Sequence, residues 1–372
     1  MILMLLGIIG IIIGFTTDNE KHAWANILLG SYFTFGVAIA GMFFVAAHTI
    51  GMGGWFITVR RVSEAIGSYI PIGGGLLLIF VILAFAGSHN VYEWAHGDDL
   101  HVDSKKQFFA APFVFIRILF FIGCLTFFGW QLRKISVQDD MNPDLNNYER
   151  SKTWAALYLV IFAISSSTMS WDFVMSIDVH WYSTLFGWYN FASYFVSSIA
   201  ATILIVLYLK GKGLLEDVTE NHLHDLGKFM FAFSIFWTYL WFSQYMLIWY
   251  AHIPEETGYF KARLDDYPAA FFLNLAINFA FPFIVLMRRR AKRKMRLLGF
   301  VAIVLLIGHF LDFHLMVIPG AVDGEGHFGL TDLLTPLFFF GLFVYVVLNT
   351  LSKASLKPKN HPFWKESVQH HI

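Results

Sequence analysis

The chain has 372 residues, of which 57% are hydrophobic, 18% aromatic and 14% charged, with a mean hydropathy of +0.59; soluble domains average about 25% charged residues, so a soluble globular fold is excluded in favour of a polytopic membrane protein. Lys+Arg and Asp+Glu balance at 26 each, which leaves no global field directed at nucleic acid or an acidic substrate. The lone Cys124 excludes a disulfide framework, a CxxC pair and a thiolate set for an iron-sulfur cluster, and no C-x-x-C-H haem attachment site occurs.

Apolar stretches near the length of a bilayer span fall at 1–15, 24–49, 67–87, 108–130, 153–172, 182–209, 227–250, 267–287, 297–318 and 329–351. The expected fold is all-α and membrane-integral, a single polytopic domain over 1–372 with about ten transmembrane helices. The first stretch is short for a span and reads as a trimmed helix or apolar anchor rather than a cleaved signal peptide. Spans two and six run the same way, as do three and seven, so an offset of four helices predicts two similarly oriented four-helix bundles, 24–172 and 182–318, followed by a C-terminal helix at 329–351.

Basic residues set the orientation. One set of alternate loops holds Arg60 and Arg61; Arg133, Lys134, Arg150 and Lys152; Lys210, Lys212 and Lys228; the run RRRAKRKMR from Arg288 to Arg296; and a tail with Lys353, Lys357, Lys359 and Lys365. The opposite loops are acidic, so both termini are expected in the cytoplasm. The 288–296 run reads as a topology anchor and anionic-lipid contact, not a nucleic-acid patch. In the loop VYEWAHGDDLHVD, residues His96, Asp98, Asp99, His101 and Asp103 lack a strong metal-ligand spacing and read as a solvated acidic segment.

Ionisable groups inside apolar segments are the functional candidates, since each is costly to place in hydrocarbon. Arg117, within FVFIRILFF, needs a buried partner, and Asp172 is the expected one. That pair reads either as a structural lock between consecutive helices or as part of quinone or proton handling. Ser165, Thr168 and Asp172 follow i, i+3, i+7 spacing and predict one polar stripe. Asp178 falls on the far side of that helix, so the helix is expected to break between the two aspartates, leaving Asp178 and His180 in a turn. His89 and Glu93 share a face if their helix continues that far, an arrangement suited to proton acceptance.

His309 and Asp312 are spaced i, i+3, with His314 turned away from both; a proton relay and an interhelical contact are the two readings, and bis-histidine haem ligation is not expected. Asn274 and Asn278 share a face suited to interhelical hydrogen bonds. Trp237, Trp241 and Gln244 line another face, read as packing ahead of a ligand slot. Glu64, with His222, His224, Asp225 and Lys228, precedes two spans and forms either the mouth of a proton path or ordinary interfacial caps.

The stretches MSWDFVMSIDVHWYSTLFGWYNFAS and HDLGKFMFAFSIFWTYLWFSQYMLIWYAHIPEE, with FIRILFF, GHFLDFHLMVIP and the tail KNHPFWKES, closely resemble the NrfD-like (polysulfide reductase membrane-subunit) family, in the form of the second such subunit of bacterial alternative complex III. The segment Thr16 to Ala23 is short where relatives carry a long His-rich loop, so no role of that loop transfers. The resemblance implies two NrfD-like bundles in the bacterial inner membrane. It implies membership of a quinol:cytochrome c, or quinol:electron acceptor, oxidoreductase, beside the related C-type subunit and in contact with lipids. Haem c and iron-sulfur clusters would sit on partner subunits and none on this chain. Quinone or menaquinone contact, or proton release, would fall to His89, Glu93, Arg117, Asp172, Asp178 and His180, with Ser165, Thr168, His309, Asp312, Glu64, Asp225 and Lys228 along a proton path. An autonomous ion or solute transporter and a structural scaffold for the C-type subunit are the alternatives.

Overall fold

The computed structural model describes residues 1–17, 19–95, 106–322 and 328–371, and its described elements are all helical. The acidic loop of His96, Asp98, Asp99, His101 and Asp103 lies outside the described residues. In chain order the helices are α1 (Ile2–Thr17), α2 (Glu20–Ile50), α3 (Ile57–Gly67), α4 (Ile70–Phe85), α5 (Ala111–Gln138), α6 (Leu145–Phe173), α7 (Leu185–Gly211), α8 (Glu220–Ala251), α9 (Pro254–Asp266), α10 (Pro268–Leu275), α11 (Phe281–Leu286), α12 (Arg289–Arg293), α13 (Met295–Ala321), α14 (Leu330–Leu351) and α15 (Trp364–Val368).

Among the described residues, 8 helical segments are long and apolar enough to cross a membrane, so the protein is an all-α, multi-pass membrane protein. The other two expected spans are α1, of 16 residues, and α8, which has 32 residues but carries Trp, Tyr and Gln along its apolar run. Two spans are composite. Residues 54–85 join a short 3₁₀ turn, α3 and α4, and residues 268–286 join α10 and α11 through a π turn at Ala276–Ala280 just ahead of Pro282.

Local chemistry sets the boundaries. Asn19 and Asp144 cap α2 and α6 by accepting the N–H groups of Lys21 and Asn146. At α8 the box is built on a histidine: His222 Nδ1 accepts the Thr219 N–H at 3.0 Å, which leaves the ring proton on Nε2, donated to Ser367 O at 2.9 Å. Gly87, at φ +74°, ends α4 in the left-handed region that favours glycine.

Neighbouring helices close two rings. In one, α2, α4, α5 and α6 pack in succession; in the other, α7 packs on α8, α8 on α11 and the π turn, these and α10 on α13, and α13 back on α7. Both α7 and α13 also pack against α2. The most apolar window of α2 is 89% buried against 28% for residues 268–286, so α2 is the central post and the latter span is peripheral. On the flank, α1 packs on α14 through Gly7 and Gly10, where a Cβ would stand 2.1 Å from Phe338 N and 2.5 Å from Leu334 Cβ. Small residues allow the close backbone approach on which helix association in lipid relies.

The basic segments gather at one end of the molecule. Arg61 donates to Ser136 O at 2.7 Å and Arg133 to Thr350 O at 3.0 Å, while Lys357 pairs with Asp217 at 2.6 Å. Arg60 and Arg61, expected in a loop, lie within α3 instead. Both are 2% exposed within α3, because Glu64 one turn on accepts from Arg60 Nε at 2.7 Å and Asp140 accepts from Arg61 at 2.7 Å.

Candidate functional site: a buried carboxylate in the second ring

Asp312 lies about two thirds along α13 from the basic end, by 1.5 Å rise per residue. Its side chain is fully buried and held by neutral donors from three other segments. Oδ1 accepts from the Tyr189 hydroxyl and from Asn274 Nδ2 at 2.8 Å. Oδ2 accepts from Ser193 Oγ at 2.8 Å and Trp237 Nε1 at 2.8 Å. These four donors fill the acceptor positions of an ionised carboxylate. Among the described residues no cation pairs with it.

Ser193 Oγ is also 3.0 Å from His309 Nδ1, so a hydroxyl stands between the carboxylate and an imidazole. A proton on Asp312 can pass to Ser193 Oγ as Ser193 gives its own to His309, whereas the Trp237 and Asn274 N–H groups cannot reverse. His309 Nε2 is buried without a hydrogen-bond partner among the described residues. Asn278 supports the cluster by donating to Asn274 Oδ1 at 2.6 Å.

A cleft beside this cluster is lined by Tyr189, Gln244, Tyr259, Arg263, Asn274 and Met316, among others. Its free space for a water-sized sphere is about 10 Å³, enough for one water and too small for a quinol ring. Gln244 is 3% exposed and its Oε1 has no hydrogen-bond partner among the described residues. Arg263 closes the cleft from α9. Pro319 has no N–H for the carbonyl four residues back, and Arg263 Nε donates to that carbonyl, Leu315 O, at 2.7 Å. The guanidinium sits 3.3 Å over the Tyr259 ring, which stacks on Trp181 at 4.0 Å. Burial pushes the Arg263 pKa down from its ordinary value, opposed by Tyr259, Tyr189 and Asp178.

The first ring holds the expected Arg117 and Asp172 pair. Arg117 Nε donates to Asp172 Oδ2 at 2.9 Å and Nη2 to Oδ1 at 2.6 Å, a bidentate geometry, while Phe108 and Phe113 cover the guanidinium. Both Asp172 oxygens are thus taken by its partner. The polar stripe on α6 is not a hydrogen-bonded chain: Ser165 and Thr168 bond back to Phe162 O and Ile164 O of their own helix, as hydroxyls in apolar helices do.

The helix breaks between the two aspartates as expected, with α6 ending at Phe173 and a 3₁₀ turn at Met175–Ile177. Asp178 then accepts the Trp181 N–H at 3.1 Å, and His180 is exposed. His89 and Glu93 share no helix face, because α4 stops at Phe85. His89 turns inward to Phe80 O at 3.1 Å and packs on Trp24. The Glu93 side chain is 65% exposed, 3.9 Å from Lys21. The cleft beside His89 is open, with Asn19, Glu20, Lys21, Ser88 and Asn90 in its lining, unlike the apolar walls that hold a quinone ring.

At the basic end, Glu64 is consumed by Arg60 and Arg61, and Asp225 pairs with Lys228 and with His370 of the tail at 2.6 Å. His309 and His314 do belong to separate networks. His314 lies 3.4 Å from Asp332, which also meets His22 at 2.8 Å. Sequence reasoning missed Asp332, His22, Arg263, Tyr189 and Ser193. The last two had a signal: Tyr189, Ser193 and Ser197 recur at i, i+4 in an otherwise apolar helix. Trp237, read as packing, is an Asp312 donor instead. No protein-family model matches the chain, and no curated protein is significantly similar to it.

Proposed function

We propose that this protein is a non-redox membrane subunit of a quinol-oxidising complex, and that it handles protons with Asp312 as the titrating centre. The observation that carries the proton half is a fully buried carboxylate held by four neutral donors and linked through Ser193 to His309. A buried acid without a counter-cation is suited to binding and releasing a proton, and intramembrane ionisable groups mark such paths. The quinol half rests on the motifs that resemble the NrfD-like subunits of alternative complex III. In that setting haem c and iron-sulfur groups belong to other partner subunits, and the C-type subunit is the neighbour that binds quinol. Quinol chemistry is assigned to the partner, since neither the Asp312 cleft nor the open cleft at His89 suits a quinone ring.

The basic end is proposed to face the cytoplasm, following the bias of basic loops. Arg117 and Asp172 favour a second role as a scaffold lock between α5 and α6, with both carboxylate oxygens occupied. Purification with native partners tests the complex. Co-isolation with haem and cluster subunits is expected, and isolation as a lone, active transporter contradicts the reading. In the assembled complex Asp172→Asn is expected to weaken assembly, whereas Asp312→Asn is expected to impair proton release with assembly retained.

A further inference from the structure

Where α11 gives way to α13, the chain presents a groove of about 670 Å³ at the basic end, lined by Arg290, Arg293, Lys294, Arg296, Leu297 and Glu220, with Met295 in the same lining. Four cations face one carboxylate. Arg293 Nη2 donates to Asn221 Oδ1 at 2.8 Å. Arg290, Lys294 and Arg296 are exposed, and none is in an ion pair among the described residues. Lys292, between them, turns inward and donates to Leu286 O, so it closes the end of α11 and adds nothing to the groove.

The surface beyond the groove is apolar. On α11 and at its end, Ile284 is 72% and Met287 56% exposed; on α13, Phe300 is 55% and Ile303 47% exposed. The two helices lie side by side here, with the Phe281 and Phe300 rings 6.0 Å apart. A cationic rim at the helix ends above an apolar strip matches one kind of occupant, a molecule with an anionic head and long hydrocarbon chains.

We propose that this groove binds one anionic phospholipid, its phosphodiester between Arg290, Lys294 and Arg296 and its acyl chains along Ile284, Met287 and Phe300. A free phosphate would leave the strip uncovered, and a zwitterionic lipid would bring its own cation against the rim. The inference is independent of proton handling at Asp312, in the opposite half of α13.

Native mass spectrometry of the purified protein, delipidated and titrated with phosphatidylglycerol or phosphatidylcholine, tests it. Phosphatidylglycerol is expected to be retained at least about tenfold more strongly. R290Q/K294Q/R296Q should lose that retention by about tenfold or more, and Arg296→Gln alone by roughly fivefold, from about one lipid-facing charge each. K353Q/K359Q/K365Q removes the same charge from the tail at the same end and should keep it. Equal retention of both lipids, equal loss in the tail variant, or displacement by millimolar inorganic phosphate would overturn the proposal.

Discussion

At the scale of single residues, the two rings place one buried aspartate each on their last helix and treat it in opposite ways. Asp172 has a guanidinium on both oxygens; Asp312 has only neutral donors. Removing one partner of a buried ion pair costs about 3–5 kcal/mol, because the survivor keeps an uncompensated charge, whereas replacing both by apolar groups costs far less. Arg117→Leu is therefore expected to lower stability in detergent by that amount and Arg117→Leu with Asp172→Leu by clearly less, as read from unfolding midpoints. Asp312→Asn turns an amide N–H toward Trp237 Nε1 or Asn274 Nδ2, an orphaned donor worth about 1–3 kcal/mol. Trp237→Phe combined with Asp312→Asn should recover part of that loss if the amide faces the indole, which a double-mutant cycle measures.

The pairing of Arg117 with Asp172 was legible in the sequence because each stands alone in an apolar helix and must find the other. That of Asp312 was not. Its donors come from positions 189, 193, 237 and 274, and a hydroxyl, an indole or an amide is tolerated in apolar segments without advertising a partner. Arg60 and Arg61 read from sequence as basic loop residues that set orientation, and only the fold brings Asp140 against Arg61.

At the scale of elements, the C-terminal tail closes the basic end. Asn360 donates to Asp139 O and Asp140 O, Arg60 meets His361 at 3.1 Å, Ser367 donates to Trp55 O at 2.8 Å, and His370 reaches Asp225. The tail thereby touches both rings. Burial, with Arg60 and Arg61 adding to it, lowers the His361 pKa from 6.5 to about 3. The unfolded or detached tail binds the proton more readily, so the stabilisation is complete above about pH 6.5 and is lost as pH falls from there toward 3. Proteolysis of the tail is expected to accelerate between pH 7.5 and about 5.5, and His361→Gln should flatten that dependence. The α9 clamp works similarly by side chain. Pro319 frees Leu315 O and Arg263 accepts the task, so Arg263→Met should loosen α9 and raise amide exchange there while the ring helices stay protected.

At the scale of the whole molecule, the all-α, multi-pass class and the 8 spanning segments were readable from composition and length, because a bilayer demands long continuous runs. What composition does not encode is the central position of α2, which comes from its packing against α4, α6, α7, α13 and α14 at once, or the seating of α1 on α14 by close backbone approach. Gly7→Leu should unseat α1, since its Cβ would lie 2.1 Å from the Phe338 backbone, and cross-linking between the two helices would report it. The rings share α2 as a wall, so the helices that carry Asp172 and Asp312 both pack against it.

The most direct test is proton release by the assembled, membrane-reconstituted complex during quinol turnover, comparing wild type with Asp312→Asn at matched subunit content. Normal assembly is expected, with proton release reduced by about a hundredfold or more, the size expected for losing a positioned proton carrier. Unchanged turnover and unchanged proton release in the variant would contradict it.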